Sequence, residues 1–263
     1  MVTWDLSPAI AAIGPFELRW YGLVYALGFT LAWWALRKEA RAGRIPNLTE
    51  KLAEDYTLLL IMGSIIGARL AYVLLYNPAY YWNHLLEVPA VWQGGLSIHG
   101  AIIGGTLLTW FWTRKQKINP YQVLDTLVLP LALSLVFGRL ANYANGELWG
   151  TVTAVSWCVV FPHVDNLCRH PSQLYESLYS LGLFLVLLGV SQWRRLAPGV
   201  LFWAFIGLYG LARFLVTFTR ALDPTDPGLL GLSIGQWLSL SMIAVALWWF
   251  NRVRRSGHPL TRA

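Results

Sequence analysis

Residues 138–150 hold a dense set of polar side chains at the end of a long apolar stretch. Arg139 offers a planar guanidinium whose paired donors match a phosphate group. Asn142 and Asn145 add amide donors, and Glu147 can orient a guanidinium or accept a hydrogen bond from a hydroxyl. Two glycines suit turns that need positive φ: Gly146 and Gly150. We call residues 138–150 the polar segment and interpret it as an anion-binding site; the alternative is a helix exit with ordinary turn residues.

Besides Arg19, three arginines fall within apolar stretches: Arg69, Arg139 and Arg213. An arginine at the depth of a bilayer costs at least ~2.5–3.5 kcal/mol, so such residues face a protein interior or a wet cavity. Arg19 lies close enough to the start of its stretch to reach the interface. The three deeper arginines therefore predict a site for an anion.

Other chemically active residue types are fewer, and their roles stay open. His99 is the lone ionisable residue of its apolar stretch, which fits either a catalytic base or a hydrogen-bonded structural histidine. Cys158 and Cys168 form either a disulfide, in an oxidising compartment, or two buried thiols. Ser233 sits in a G-x-S-x-G pattern, but the pattern opens an apolar helix, so we predict a helix cap.

The composition restricts the kind of protein that positions these side chains. Hydrophobic residues make up 56% of the 263 residues and charged residues only 13%, against about 25% charged in soluble domains. Mean hydropathy is +0.49. This composition argues against a soluble enzyme, and it excludes a disordered tail, a collagen-like chain and a disulfide-stapled mini-domain. The net charge of +7 does not indicate nucleic-acid binding, because the basic residues lie between apolar stretches.

Seven apolar stretches are long enough, or nearly so, to cross a bilayer core of roughly 30 Å. They cover residues 18–36, 56–76, 94–113, 121–141, 174–192, 199–217 and 233–250. We therefore predict an all-α integral membrane protein with seven transmembrane helices in a single membrane domain, 1–263. Residues 142–173 form a small head between spans four and five.

The distribution of basic residues predicts the orientation. Fourteen Lys and Arg residues lie in segments 37–55, 114–120, 193–198 and the C-terminal tail, whereas the alternate loops hold only Arg169 and Arg220. Basic loops stay in the cytoplasm. The N-terminus and the head are therefore predicted to be outside and the C-terminus cytoplasmic.

The polar residues of the spans collect in the outer half of the membrane under this orientation. Arg69 lies about 20 Å and Arg213 about 21 Å from the cytoplasmic ends of their helices, at 1.5 Å per residue. Arg139, His99 and Tyr21 lie near outer ends as well, while Tyr25 fits an interfacial aromatic. This pattern predicts a polar chamber that opens toward the outer leaflet.

The polar segment resembles the signature of the prolipoprotein diacylglyceryl transferase family, G-R-x-x-N-F-x-N-x-E-x-x-G, with Tyr143 in place of Phe. The resemblance extends along nearly the whole chain. Six other stretches are similar to motifs of that family: Arg19–Leu23, Gly67–Tyr72, Gly94–Gly100, His170–Glu176, Arg213–Phe214 with Arg220, and Leu232–Gln236.

The resemblance implies transfer of the diacylglyceryl group of phosphatidylglycerol to the lipobox cysteine thiol of prolipoproteins. A thioether forms and glycerol phosphate leaves, in the first step of bacterial lipoprotein maturation. The implied partners are phosphatidylglycerol, a prolipoprotein signal peptide and membrane lipids, in the bacterial cytoplasmic (inner) membrane. No cofactor, metal or nucleic acid is implied, and neither cysteine of the chain is needed, because the nucleophile belongs to the substrate.

The resemblance also implies roles for particular residues. The catalytic candidates are His99, Arg139 and Arg213. The substrate-binding candidates are Arg139, Asn142, Asn145, Glu147, Gly150, Tyr21, Arg69 and Arg220. Which residue deprotonates the substrate thiol stays open.

One position departs from the family. Thr217 stands where the family has a Glu, four residues after Arg213. Either that carboxylate is dispensable here, or Glu147 or Glu176 serves Arg213 instead.

Two other functions were considered. A metal-dependent phosphotransferase needs several acidic ligands on neighbouring helices, and the spans hold only Asp125 and Glu176, near opposite faces. A lipid or anion transporter with an outward-facing cavity lined by arginines is the alternative function. A pore should carry polar groups along its full depth, and the inner half is nearly apolar.

Overall fold

The computed structural model describes residues 2–7, 9–13, 16–76, 78–91, 95–193, 196–221 and 229–256. For residues 12–13, 16–18, 75–76, 98–99 and 193 it describes the backbone alone. Arg194, Arg195 and Arg262, which contribute to the predicted orientation, lie outside the described residues.

Each of the seven predicted spans corresponds to a helix. The helices are α1 (Trp20–Arg41), α2 (Glu50–Ala71), α4 (Ile98–Lys115), α5 (Pro120–Ala144), α6 (Ser172–Trp193), α7 (Val200–Val216) and α8 (Ile234–Arg255). A π-helical turn, Tyr72–Tyr76, extends α2. A short helix α3 (Pro78–Asn83) and a 3-10 turn (Leu85–Glu87) follow it. A second 3-10 turn, Thr217–Thr219, continues α7.

Four of these helical segments are long and apolar enough to cross a membrane, among the residues described: Glu50–Leu74, Pro120–Ala144, Ser172–Gln192 and Val200–Thr219. The chain is thus a helical, multi-pass membrane protein. The other three, α1, α4 and α8, contain 22, 18 and 22 residues, about 33, 27 and 33 Å of helix. Their crossing of the membrane stays a prediction.

The contacts divide the chain into two compact units, Met1–Thr30 with Leu127–Ala263, and Leu31–Thr126. In the first unit, α5, α6 and α7 pack around a buried apolar cluster of Val128, Ala132, Leu183, Leu187, Leu201 and Phe205. Pro130 is accommodated within α5, and its carbonyl accepts a hydrogen bond from Ser134 Oγ at 2.7 Å.

In the second unit, α2 and α4 cross at glycines. A Cβ added to Gly67 would lie 2.9 Å from the Cα of Gly104, and one added to Gly104 would lie 3.0 Å from the Cα of Gly67. Gly63 and Gly100 take part in the same crossing, through close approaches to Gly104 and Gly67. Gly63 with Gly67 and Gly100 with Gly104 are thus two G-x-x-x-G pairs whose small residues allow the helices to approach closely.

Short strands are a feature that the all-α prediction missed. β1 (Val2–Thr3) pairs parallel with β4 (Val159–Val160), which pairs antiparallel with β5 (Cys168–Arg169). β2 (Ala9–Ile13) and β3 (Phe16–Arg19) form an antiparallel pair. Strands of two to five residues have too few positions to show an alternating pattern. All five lie in the first unit, before α1 or between α5 and α6.

Candidate active site

The polar segment begins in the last turns of α5 and folds back over its end. The chain reverses with positive φ at Gly146 (66°) and Leu148 (57°). A backbone hydrogen bond from Glu147 N to Asn142 O, 3.0 Å long, closes the turn. The amide of Gln173, in the first turn of α6, donates to Glu147 O at 2.6 Å. The expectation of positive φ at Gly146 is confirmed.

Four predicted substrate-binding residues meet at one carboxylate oxygen, Glu147 Oε1. Asn142 donates to it at 3.2 Å and Asn145 at 3.1 Å. Tyr21, from the first turn of α1, donates its hydroxyl proton to the same oxygen and accepts a hydrogen bond from Asn142. Glu147 thus accepts from a hydroxyl and from amides, which the sequence allowed, and these contacts orient four polar side chains as one group.

Three arginines converge on a second carboxylate, that of Glu176 in α6. Arg139 Nε lies 2.9 Å from Glu176 Oε2. Arg213 Nη1 and Arg220 Nη1 lie 2.9 and 2.5 Å from Glu176 Oε1. We call these four residues the guanidinium cluster. Arg139 Nη1 also donates to Asn142 Oδ1 at 3.2 Å, which joins the cluster to the group around Glu147.

Glu176 is also the carboxylate that pairs with Arg213 in the absence of a Glu at position 217. Thr217 donates Oγ1 to the carbonyl of Arg213 at 2.7 Å and is buried. Glu176 supplies the carboxylate to Arg213 instead, so the structure agrees with the second of the two alternatives, with Glu176 and not Glu147 as the partner. Sequence reasoning left Glu176 out of the site itself, although its place in the H-P-S-Q-L-Y-E stretch was a signal.

Two tyrosines beside Arg139 were also missed. Tyr179, one turn after Glu176, packs against Tyr209 of α7 with ring centroids 6.1 Å apart. Tyr209 accepts a hydrogen bond from the guanidinium group of Arg139. The hydroxyl of Tyr179 is buried and has no hydrogen-bond partner among the described residues. Aromatic residues in membrane helices are common, so the sequence carried no specific signal for these two.

Gly150, at the end of the polar segment, contacts the backbone of Arg220. Gly150 forms an isolated β-bridge with Arg220, and a Cβ here would lie 2.5 Å from the carbonyl oxygens of His170 and Thr219. The expectation of positive φ at Gly150 is wrong. A glycine is needed here for a different reason, which is the close approach of these backbone atoms. Arg169 Nη1 donates to the Gly150 carbonyl at 3.2 Å.

A disulfide and an ion pair hold the head together. Cys158 and Cys168 are bonded, with their Cα atoms 5.4 Å apart, so the first of the two alternatives is correct. Arg169 also pairs with Asp165, and its hydrogen bonds hold the pKa of that carboxyl below its usual value. Together these contacts fix β5, which leads directly into α6 and Glu176.

Residues near the start of the chain contact the polar segment, which sequence reasoning did not anticipate. Trp4 follows β1 and donates from its indole nitrogen to the carbonyl of Tyr143 at 2.7 Å. His163 in the head lies against Trp4 and has its Nε2 2.7 Å from the carbonyl of Gly146. Both contacts hold the backbone on either side of Asn145.

Arg69 belongs to the second unit, where it contacts carbonyl groups and an aromatic ring. Its Nε and Nη2 donate to the carbonyls of Val88 and Glu87 at 2.8 and 2.7 Å, and the guanidinium lies 5.1 Å from the centre of the Tyr81 ring. The side chain thereby fixes the connection after α3. Its predicted part in substrate binding stays a prediction.

His99 is the second residue of α4, whose first turn is capped by the Ser97 hydroxyl. The side chain of His99 lies outside what the structure describes, so its role as a base stays a prediction. Ser233 caps α8 in a reciprocal capping box with Gln236, which confirms the structural interpretation of that serine.

Comparison with known proteins identifies the family. A sequence model of prolipoprotein diacylglyceryl transferase matches residues 8–252. A protein of Geobacter sulfurreducens is 44% identical over 246 residues, covering 92% of this chain and 93% of the relative. One of Bordetella parapertussis is 42% identical over 243 residues, covering 91% and 92%. One of Brucella anthropi is 39% identical over 262 residues, covering 96% and 93%.

Each of these relatives bears the name phosphatidylglycerol–prolipoprotein diacylglyceryl transferase. The family match covers nearly the whole chain, including every residue of the guanidinium cluster and of the polar segment. This chain is a member of the prolipoprotein diacylglyceryl transferase family.

Proposed function

We propose that this chain transfers the diacylglyceryl group of phosphatidylglycerol to the lipobox cysteine of a prolipoprotein, the first step of lipoprotein maturation. The observation that carries the proposal is the guanidinium cluster, three arginines around one carboxylate at the ends of apolar helices. The leaving group of this reaction is a phosphate ester, and guanidinium groups bind phosphate through paired donors.

In the proposed reaction the substrate thiolate attacks the glyceryl carbon that carries the phosphate. A C–S bond forms, the C–O bond to phosphate breaks, and glycerol phosphate takes the electron pair. Arg139 and Arg213 stabilise the charge that grows on this phosphate, an effect that needs donors already in place. His99 takes the thiol proton, because the thiol is a nucleophile only as thiolate.

The group around Glu147 provides a second set of contacts. Tyr21, Asn142, Asn145 and Glu147 present hydroxyl, amide and carboxylate groups within one hydrogen-bonded set. We propose that this set binds the hydroxyl groups of the glycerol head, next to the phosphate at Arg139 and Arg220. Gly150 contributes by allowing the backbone of Arg220 to approach.

We further propose that all seven helices cross the bacterial inner membrane, with the N-terminus and the head outside. Helices of 18 to 22 residues support the three additional crossings. A disulfide in the head supports an oxidising compartment on that side. The prolipoprotein signal peptide would reach the site from the membrane, where its lipobox lies close to the outer interface.

The direct test uses purified protein in detergent with phosphatidylglycerol and a lipobox peptide. Mass spectrometry should find the peptide carrying a diacylglyceryl thioether, together with one equivalent of glycerol phosphate. The same preparation in liposomes should show no anion flux. Flux without thioether formation would support the transporter and contradict the proposed function.

A further inference from the structure

The carboxylate of Glu176 is the most buried part of the guanidinium cluster. Its side chain is 1% exposed, whereas those of Arg139, Arg213 and Arg220 are 17%, 22% and 12% exposed. Both carboxylate oxygens are in contact with arginine, Oε2 with one and Oε1 with two. The accessible surface of the cluster is therefore cationic, and the anion lies behind it.

The cluster carries more positive than negative charge. Three guanidinium groups stay protonated in proteins, and one carboxylate balances one of them, so two positive charges remain. Without an anion among them, three guanidinium groups within a few ångströms would repel each other strongly in a poorly solvated site. Glu176 is therefore what allows the arginines of α5, α7 and the following turn to share one place.

We infer that Glu176 is a positioning residue which gathers the three arginines and sets the charge of the cluster to match the departing phosphate monoester. The inference rests on the proposed function and adds a charge preference to it. Glu176 acts through the arginines and does not touch the substrate.

The charges of the reaction explain why this match matters. The phosphodiester of phosphatidylglycerol carries one negative charge. Once the C–O bond breaks and the thiol proton has left, glycerol phosphate carries close to two, with a second pKa of about 6. A cluster with two positive charges is half neutralised by the substrate and fully neutralised by the product. Its attraction therefore grows along the reaction, which lowers the barrier instead of only tightening substrate binding.

The wild-type protein provides the first test, by calorimetric titration with two soluble anions at pH 5 and pH 7.5. Glycerol 3-phosphate is a monoester, and only about a tenth of it is dianionic at pH 5. We expect its Kd to fall about tenfold at pH 7.5 for that reason. Glycerophosphoglycerol is a diester with one charge at both values, and its Kd should change little. Among the described residues, the tyrosines Tyr179 and Tyr209 lie beside the cluster, and the diester controls for any effect of pH on the protein itself.

The second test removes the negative charge with Glu176→Gln, which preserves the size of the side chain. The extra positive charge should attract the dianionic monoester more strongly than the singly charged diester, so the preference for the monoester at pH 7.5 should grow at least about fivefold, roughly 1 kcal/mol. In the lipobox assay kcat should fall more than KM for phosphatidylglycerol rises. If Glu176 had a purely structural role, the substitution would instead weaken the binding of both anions by the same factor.

Glu50→Gln is the matched control. Glu50 also accepts hydrogen bonds from two arginines, Arg37 at 2.7 Å and Arg41 at 2.8 Å, but its side chain is 41% exposed and lies in the other unit. Glu50→Gln should leave the Kd values of both anions and the kinetics of the lipobox assay unchanged.

The outcomes separate the inference from the proposed function. Absence of thioether product with the wild-type protein would contradict the function, whereas the titrations measure the charge preference without turnover. An equal pH response of the two anions in the wild-type protein overturns the inference, even when Glu176→Gln does not fold. A folded Glu176→Gln protein with wild-type preference and kinetics overturns it as well.

Discussion

Arg139 joins the two polar groups of the site, since it contacts Glu176 through Nε and Asn142 through Nη1. We expect Arg139→Ala to lower thioether formation at least about 100-fold, ~2.7 kcal/mol in barrier. Arg139→Lys should recover little, because an ammonium group lacks the planar fork that reaches both partners. The measurement is turnover of a lipobox peptide by purified variants. Near wild-type turnover in Arg139→Ala would rule out its role in holding the phosphate.

Thr217 offers a second test at the residue scale, because it is buried one turn from Arg213. We expect Thr217→Glu to keep activity within about tenfold, ~1.4 kcal/mol, since Glu176 already serves Arg213. The added carboxylate lowers the charge of the guanidinium cluster, so glycerol phosphate should bind more weakly at pH 7.5. Thr217→Gln adds similar bulk without charge and should leave that affinity unchanged. Arg213→Ala should be far more damaging than either, and the opposite order would show that the catalytic charge lies elsewhere.

The residues of the polar segment were predictable, whereas Glu176 was predicted only as one of two possible partners of Arg213 and not as the centre of three arginines. Arg139, Asn142, Asn145 and Glu147 lie within nine residues of one another, so local chain geometry alone brings them close. Glu176 is 37 residues from Arg213 and 44 from Arg220. Only the packing of α6 against α7 decides which carboxylate meets which arginine, and a single sequence does not contain that information.

At the scale of the helices, the α2–α4 crossing depends on the absence of side chains. A Cβ on Gly67 would overlap Gly100 and Gly104, so Gly67→Ala should destabilise the protein by about 1–3 kcal/mol. Gly182 in α6 has nothing within 4 Å of an added Cβ, and Gly182→Ala should be neutral or slightly stabilising. Thermal unfolding in detergent measures both. Equal melting temperatures would mean that the two helices do not cross at Gly67.

The disulfide of the head is expected to serve stability and not catalysis, because the attacking thiol comes from the substrate. The double variant Cys158→Ser, Cys168→Ser should keep wild-type turnover at moderate temperature. Its unfolding free energy should fall by about 2–5 kcal/mol, as in small secreted domains that lose a disulfide. Loss of turnover in a folded double variant would indicate that the protein uses a nucleophile of its own.

The helices could be predicted from the sequence more easily than the strands. The seven long helices were predictable because each is a continuous apolar stretch, and their bounds agree within a few residues except at the amphipathic ends of α1, α2 and α8. The strands β1, β4 and β5 contain two residues each and depend on pairing between distant segments. Tertiary pairing of this kind leaves no periodic pattern.

At the scale of the whole molecule, whether α4 crosses the membrane determines whether the chain crosses it seven times or fewer. Leu86 precedes α4 in the sequence and Lys117 follows it, and both side chains are exposed. In a chain without its native cysteines, we expect an impermeant thiol reagent to label Leu86→Cys in intact cells. Lys117→Cys should be labelled only after the membrane is permeabilised. Labelling of both in intact cells would mean that α4 does not cross.

The pairing of β1 with β4 couples residues that are far apart along the chain: Val2 lies opposite Val159, and Trp4 reaches Tyr143, 139 residues away. With the head outside, as proposed, the segment around Trp4 must therefore wait during synthesis until α5 has been inserted and the head has been translocated. The polar segment obtains its final backbone support at that late stage. Delayed export of the head should consequently leave a protein that is inserted and helical but inactive, whose activity rises only as the small sheet forms.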